Sequence, residues 1–183
     1  MRKMYYLLFT VCSTFLFSKT FAQTTVFIKA FDYNNVKLDG GSVAVGHLKD
    51  IEPLSYSQGV SVCGSIGSPC PPVVSDFTIM MVLNPASVTA KQMLLKGEHL
   101  KKVDVYYRKS PATFDYYNIH MEDVTITTVQ ESGSSEIPTV AMSFSAQKIA
   151  WQYTAAKTDG TAGVKTKAGW DFSTNTEWIY IFP

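Results

Sequence analysis

Lys101-Lys102-Val103-Asp104-Val105-Tyr106-Tyr107-Arg108 decides the class of fold. Successive side chains of a strand point to opposite sides, so Val103, Val105 and Tyr107 fall on one face and Lys102, Asp104, Tyr106 and Arg108 on the other. This is a half-buried strand. Reading outward, Thr25 to Phe31, Ile51 to Val60, Val73 to Val82, Phe114 to Met121, Val124 to Val129 and Val140 to Tyr153 are further runs rich in β-branched and aromatic residues. Pro53 places the Ile51 run at a sheet edge or an irregular start, because proline cannot donate to a ladder. Val140, Met142 and Phe144 share one phase and Ile149, Trp151 and Tyr153 the other, which predicts a bulge near Ala146 to Lys148.

One segment breaks the pattern. Asn84 is placed to cap a helix that starts at Pro85, where the missing N–H costs nothing, and Gly97 is a natural stop. Val88, Met93, Leu94 and Leu95 form the expected apolar side. Many strands and one helix predict a mainly β fold, a small β-barrel or two-sheet sandwich with one α-helix over its seam or mouth.

The chain opens with the layout of a secretory signal: Arg2 and Lys3, an apolar run from Tyr5 to Phe17, and Thr20-Phe21-Ala22 before a cleavage point at Gln23. The run is short of the roughly 20 apolar residues that span a bilayer. Cys12 follows Val11 rather than a small residue, which argues against lipoprotein processing. The organisation is therefore a signal peptide over 1–22 and a single domain over 23–183, exported to the periplasm or beyond, with no membrane anchor after cleavage. Of the 16 basic residues Arg2, Lys3 and Lys19 leave with the signal and none of the 15 acidic ones does, so the mature net charge is −2. Nothing in that balance suggests a nucleic-acid partner.

Two cysteines remain, in Val62-Cys63-Gly64-Ser65-Ile66-Gly67-Ser68-Pro69-Cys70-Pro71. An even count in an oxidising compartment and a pliant Gly, Ser and Pro loop favour a Cys63–Cys70 disulfide; two reduced thiols are the other reading. Zinc would need further ligands, and a redox motif a tighter spacing.

No phosphate-cradling loop, Gly-x-Ser-x-Gly elbow or His-Glu-x-x-His motif is present, and no nucleophile and base can be named, so neither catalysis, nor a cofactor, nor a metal is expected. His120 and Glu122 share a strand face, which reads as a solvated surface pair rather than the start of a metal or acid–base site. Asp50, Glu52 and Asp123 read as ordinary loop and strand carboxylates. Tyr116, Tyr117, Trp151, Tyr153, Trp170, Trp178 and Tyr180 could form a sugar-binding platform or, as is commoner in β proteins, fill the core and pair across strands.

The order of several segments resembles the haemolysin-coregulated protein (Hcp) family, the tube subunit of type VI secretion. They are Thr25 to Phe31, His47 to Ser61, Asp76-Phe77-Thr78-Ile79 before the helix, Gly97-Glu98-His99, and Val103 to Lys109. Met121 to Ile126, Glu136 to Thr139, Phe144 to Tyr153, Asp159-Gly160 and Ala168 to Phe172 complete the resemblance, which covers nearly all the mature chain. It implies a small barrel with a helix at its side, forming homohexameric rings that stack into a hollow tube. It further implies effector cargo in the lumen and spike proteins of the secretion machine as partners. Ser57 is then the position expected to face cargo, and Ser61, Gly64, Ser65, Gly67 and Pro71 belong to the loop expected to help ring contacts. The chain departs from the family in carrying an export signal. The alternative function is an exported monomeric or dimeric β-barrel binding module for a glycan or a protein partner.

Overall fold

The computed structural model describes residues 24–62, 64, 70–109, 114–133 and 137–183. The proposed signal, Cys63, Ser65 and Gly67 lie outside them. The elements are β1 (Thr24–Asp32), β2 (Pro53–Ser57), β3 (Val60–Val62), β4 (Pro72–Val74), β5 (Phe77–Val82), α1 (Pro85–Lys96), β6 (His99–Lys109), β7 (Asp115–Ser132), β8 (Thr139–Ala156), β9 (Ala162–Asp171) and β10 (Thr176–Glu177). The main sheet runs β1-β6-β7-β8-β5-β2, with β9 pairing β8 and β10, and every pairing is antiparallel. The fold is mainly β with one helix among the described residues, as the alternation predicts.

The sheet curls towards a barrel. Its two ends are tied by one bridge rather than a continuous ladder, Ile28 and Ile51 exchanging both backbone hydrogen bonds at 2.9 Å. Pro53 opens β2, the last strand of the path, where a missing N–H does no harm. Long β8 bridges two regions, its first half pairing with β5 and its second with β9.

Alternation fills the interior. Val26, Ile28 and Ala30 of β1, Val103, Val105 and Tyr107 of β6, and Phe77, Ile79 and Met81 of β5 are all buried. The two runs expected around Met121 and Val129 are a single strand, β7. Its core phase switches from Ile119 and Met121 to Val124 and Ile126, and β8 switches opposite it from Ile149 to Ala146 and Phe144. The β7–β8 register continues unbroken through Glu122↔Lys148 and Val124↔Ala146. The bulge expected near Ala146 to Lys148 is therefore absent; both strands change phase together, with Asp123 taking a left-handed φ of 52° between those pairs. The register shift falls instead between Ile126 and Thr128 of β7.

The helix occupies its expected place, and Gly97 ends it at φ 68°. Gly97 donates its backbone N–H to the Leu94 carbonyl and Glu98 to that of Met93, a Schellman stop. Two expectations hold only in part: Asn84 is the N-cap residue, and of the expected apolar side Met93 is buried and Leu94 packs against the core. Asn84 sits at the cap position with no side-chain cap bond, and Ser87 bonds its own hydroxyl to the Asn84 carbonyl instead. The buried stripe is Ala86, Ala90 and Met93, while Val88 and Leu95 are exposed. Small residues at i and i+4, Ala86 and Ala90, let α1 lie close on β7, Met93 extends the stripe one turn on, and bulky Leu95 is turned outward.

Candidate assembly surface

The strand phase that buries Ile79 and Met142 turns their neighbours outward. Across β2, β5, β8 and β7 the register aligns Ser57, Thr78, Ser143 and Thr128 in one row, and Ser55, Met80, Ala141 and Gln130 in the next. The Thr78 and Ser143 hydroxyls are 2.9 Å apart. The eight residues are uncharged and mostly small, so the sheet presents a smooth hydroxylic wall with a buried apolar layer behind it. Ser57 is exposed at the end of that row. Only Ser57 is singled out by sequence; Thr139, Ser143 and Ser145 alternate locally, but Thr128 joins the row only through the register shift after Ile126.

Beside the wall, β3 and β4 form a separate two-stranded hairpin, Val60 opposite Val74 and Val62 opposite Pro72. Gly59 and Ser75 close its base: the Ser75 backbone N–H donates to the Gly59 carbonyl at 2.9 Å, and the Gly59 N–H to Ser75 Oγ at 2.7 Å. Val60, Val62 and Val73 are 53%, 65% and 55% exposed, so three of the hairpin's apolar side chains are uncovered while Val74 packs against the core. Ser61 lies in β3, Gly64 beyond it is exposed with φ 123°, and Pro71 precedes β4. Cys70 is disulfide-bonded; its expected partner Cys63 lies outside the described residues. Ser57 ends β2 three residues before β3 begins, so wall and arm adjoin.

His120 and Asp50 are not where their sequence context suggests. His120 is 2% exposed rather than solvated. Its Nδ1 meets Asp104 Oδ1 at 2.5 Å and its Nε2 meets Glu122 Oε1 at 3.3 Å. Tyr180 stacks on its ring at 3.7 Å. Burial first, and then the charges of Asp104 and Glu122, raise the Tyr180 hydroxyl above its ordinary pKa. The extended C-terminal segment is what covers this polar face, and sequence alone gave no sign of it.

Asp50 is likewise no ordinary loop carboxylate. It is fully buried and accepts from Lys37 Nζ at 2.8 Å and pairs with His47 Nδ1 at 2.8 Å. His47 in turn stacks on Phe27 at 3.9 Å. Gly40 is required beside this turn, since a Cβ there would meet the Asp50 carbonyl oxygen and Ile51 Cα at 2.4 Å. Among the described residues no three His, Cys, Asp or Glu side chains come together as a metal site.

The aromatic residues do not make a platform. Tyr56, Tyr107, Tyr116, Tyr117 and Tyr153 meet in edge-on and tilted contacts at one place, and Trp178, Tyr180 and Phe182 cluster at another. No helix among the described residues is long and apolar enough to cross a membrane.

The fold is shared with known proteins. A solved structure described as that of a type six secretion system protein matches with a TM-score of 0.76 at 21% identity, covering 85% of this chain and 100% of its own. Hcp1 from Salmonella typhimurium matches at 0.70 with 21% identity, over 85% of this chain and 99% of that one. A type VI secretion system effector from Yersinia pestis matches at 0.64 with 27% identity, over 80% and 98%. No curated protein matches the chain. The sequence model described as "Type VI secretion system effector, Hcp" matches residues 27–153, well over half of the chain. The chain belongs to the Hcp family of type VI secretion system effectors.

Proposed function

We propose that this Hcp-family chain is exported through a signal at residues 1–22, and that its 23–183 domain assembles into homohexameric rings that stack and carry effector cargo in the lumen. In this reading its role is structural rather than catalytic. The observation that carries it is the β3–β4 arm. A two-stranded hairpin is marginal in water on its own, and this one leaves Val60, Val62 and Val73 uncovered. A neighbouring subunit that covers them supplies the missing half of the contact, and one heterologous contact repeated by rotation closes a ring. The Cys70 disulfide is paired in this reading with Cys63.

The hydroxylic wall suits the bore of such a ring. An uncharged surface of small side chains neither traps a passing protein by ion pairing nor offers it a large apolar patch. Ser57 stands on that wall. Effector proteins are the partners expected there, and spike proteins those expected at the end of a stack.

Light scattering on a sizing column, with the chain starting at Gln23 and run at several concentrations, tests the proposal. A mass six times that of the chain is the expected result. A monomer at every concentration overturns the ring, and leaves the fold to an exported binding module.

A further inference from the structure

On the face of β6–β9 turned away from the core, a cavity of about 290 Å³ opens between the strands and the chain's C-terminal residues. The strand register builds it. Tyr106, Asn118 and Gln152 are successive cross-strand partners on β6, β7 and β8, and Thr154 is paired with Lys165 of β9. All five line the cavity, and Phe182 closes one side.

The polar groups here are not spent on the fold. Gln152 is 2% exposed and its Oε1 has no hydrogen-bond partner; Asn118 Oδ1 is also buried without one. A buried acceptor left unpaired opposes folding, so two on adjacent strands of one cavity call for an explanation. Neither neighbouring carboxylate is free to act on a ligand as a bare charge. Asp104 is engaged by His120 and Lys102, and Asp115 accepts from Arg108 Nε at 2.9 Å. What remains are two side-chain amides, the Thr154 hydroxyl and the Lys165 ammonium, among three aromatic rings, Tyr106, Phe114 and Phe182.

That set selects by chemistry. Amide and hydroxyl groups both give and take hydrogen bonds, and the two unpaired carbonyl oxygens require donors from the ligand. Tyr106 and Phe182 offer faces for C–H groups. The volume lies at the small end of ligand pockets, which begin near about 300 Å³. We propose that this cavity binds a compact, neutral polyhydroxylated ring, a single sugar residue, held by Asn118, Gln152 and Thr154. The site is distant in register from the Ser57 wall and does not rest on ring assembly.

Titration of the ¹⁵N-labelled chain with glucose, galactose and N-acetylglucosamine tests it. At least one of the three sugars is expected to move the side-chain amide signals of Asn118 and Gln152 saturably. Thr154→Val, which removes one hydroxyl at nearly constant volume, is expected to weaken that binding about tenfold, and Ser57→Ala to leave it unchanged. Unmoved amide signals with all three sugars overturn the proposal, as do shifts of equal affinity in a folded Thr154→Val chain. The wild-type titration decides the matter if that variant does not fold. The mass of the same sample, read separately, reports on the ring.

Discussion

The Thr78 and Ser143 hydroxyls, 2.9 Å apart on adjacent strands, sit in the middle of a row that runs from Ser57 on β2 to Thr128 on β7. Ser57 is exposed at the end of that row, so it is open to change without cost to the fold. Ser57→Glu is expected to alter unfolding free energy in urea by no more than about 0.5 kcal/mol. In a ring it would set like charges around one bore, and their repulsion is screened within about 10 Å at 0.1 M salt. The hexamer mass is therefore expected to fall at low salt and return at high salt. A large loss of fold stability would instead place Ser57 inside the subunit's own packing.

The β3–β4 arm makes its own two-stranded sheet, so its order is separable from that of the barrel. Cys70→Ser is expected to speed proteolytic cutting within 59–75 several-fold while the thermal midpoint of the barrel stays close to wild type. The assembled mass should drop along with it. Alkylation of the unreduced, unfolded chain beginning at Gln23 checks the pairing itself: no thiol should react if Cys63 is the partner of Cys70.

The helix separates what pattern reading can and cannot see. Its limits were legible, because Pro85 and Gly97 act through their own backbone conformations. Its buried face was legible at Met93 and Leu94 but not at Ala86 and Ala90, because hydrophobicity favours Val88 and Leu95, which are exposed. The same holds along the strands. Period-two alternation locates β6 and β1 well, since each pattern is local. The phase change of β8 shows in its own alternation; that β7 changes phase opposite it, so that no bulge is needed, involves residues about 25 positions apart, Asp123 and Gln147 to Lys148. His120 and Asp50 were misjudged for a related reason: what buries them, Tyr180 and Lys37, comes from distant segments. Ser57 was reached only through resemblance, and its row through register.

Ala90 gives that difference a number. It is fully buried against β7, so Ala90→Leu is expected to cost about 1–3 kcal/mol by overpacking. Leu95→Ala, at an 87% exposed position of the same helix, should change stability by less than about 0.5 kcal/mol. Urea denaturation of the two variants beside wild type settles the orientation of α1, since reversed magnitudes would mean that the helix is turned the other way.

The C-terminal segment is held over His120 by close approach as well as by stacking. The Trp178 backbone N–H donates to the Gly169 carbonyl at 3.0 Å, and a Cβ on Gly169 would lie 2.4 Å from the Trp178 carbonyl oxygen. Gly169→Ala is therefore expected to lift the segment, exposing His120 and the carboxylates of Asp104 and Glu122. Hydrogen exchange at Trp178 and in the central part of β7 should rise together, with 77–82 of β5 unaffected. Exchange unchanged at both would show that β9 yields instead of the segment.

Tyr107 sets how the fold meets alkali. It is 1% exposed, and burial above all, followed by the charge of Tyr56, raises its hydroxyl well beyond the ordinary value of 10.0. Tyr106 and Tyr117 shift the same way, also chiefly through burial. A group held protonated in the folded state binds its proton more tightly there than in the unfolded chain. Its contribution is complete below pH 10.0 and is lost as pH climbs towards the folded-state value. Above 10.0 the loss from Tyr107 alone amounts to about 1.4 kcal/mol per pH unit. Tyrosinate absorbance followed against pH should therefore show a late cooperative phase that coincides with unfolding. Tyr107→Phe should leave stability at neutral pH within about 1 kcal/mol of wild type and move the alkaline midpoint upward. A midpoint that does not move would assign the alkaline limit to Tyr106 or Tyr117.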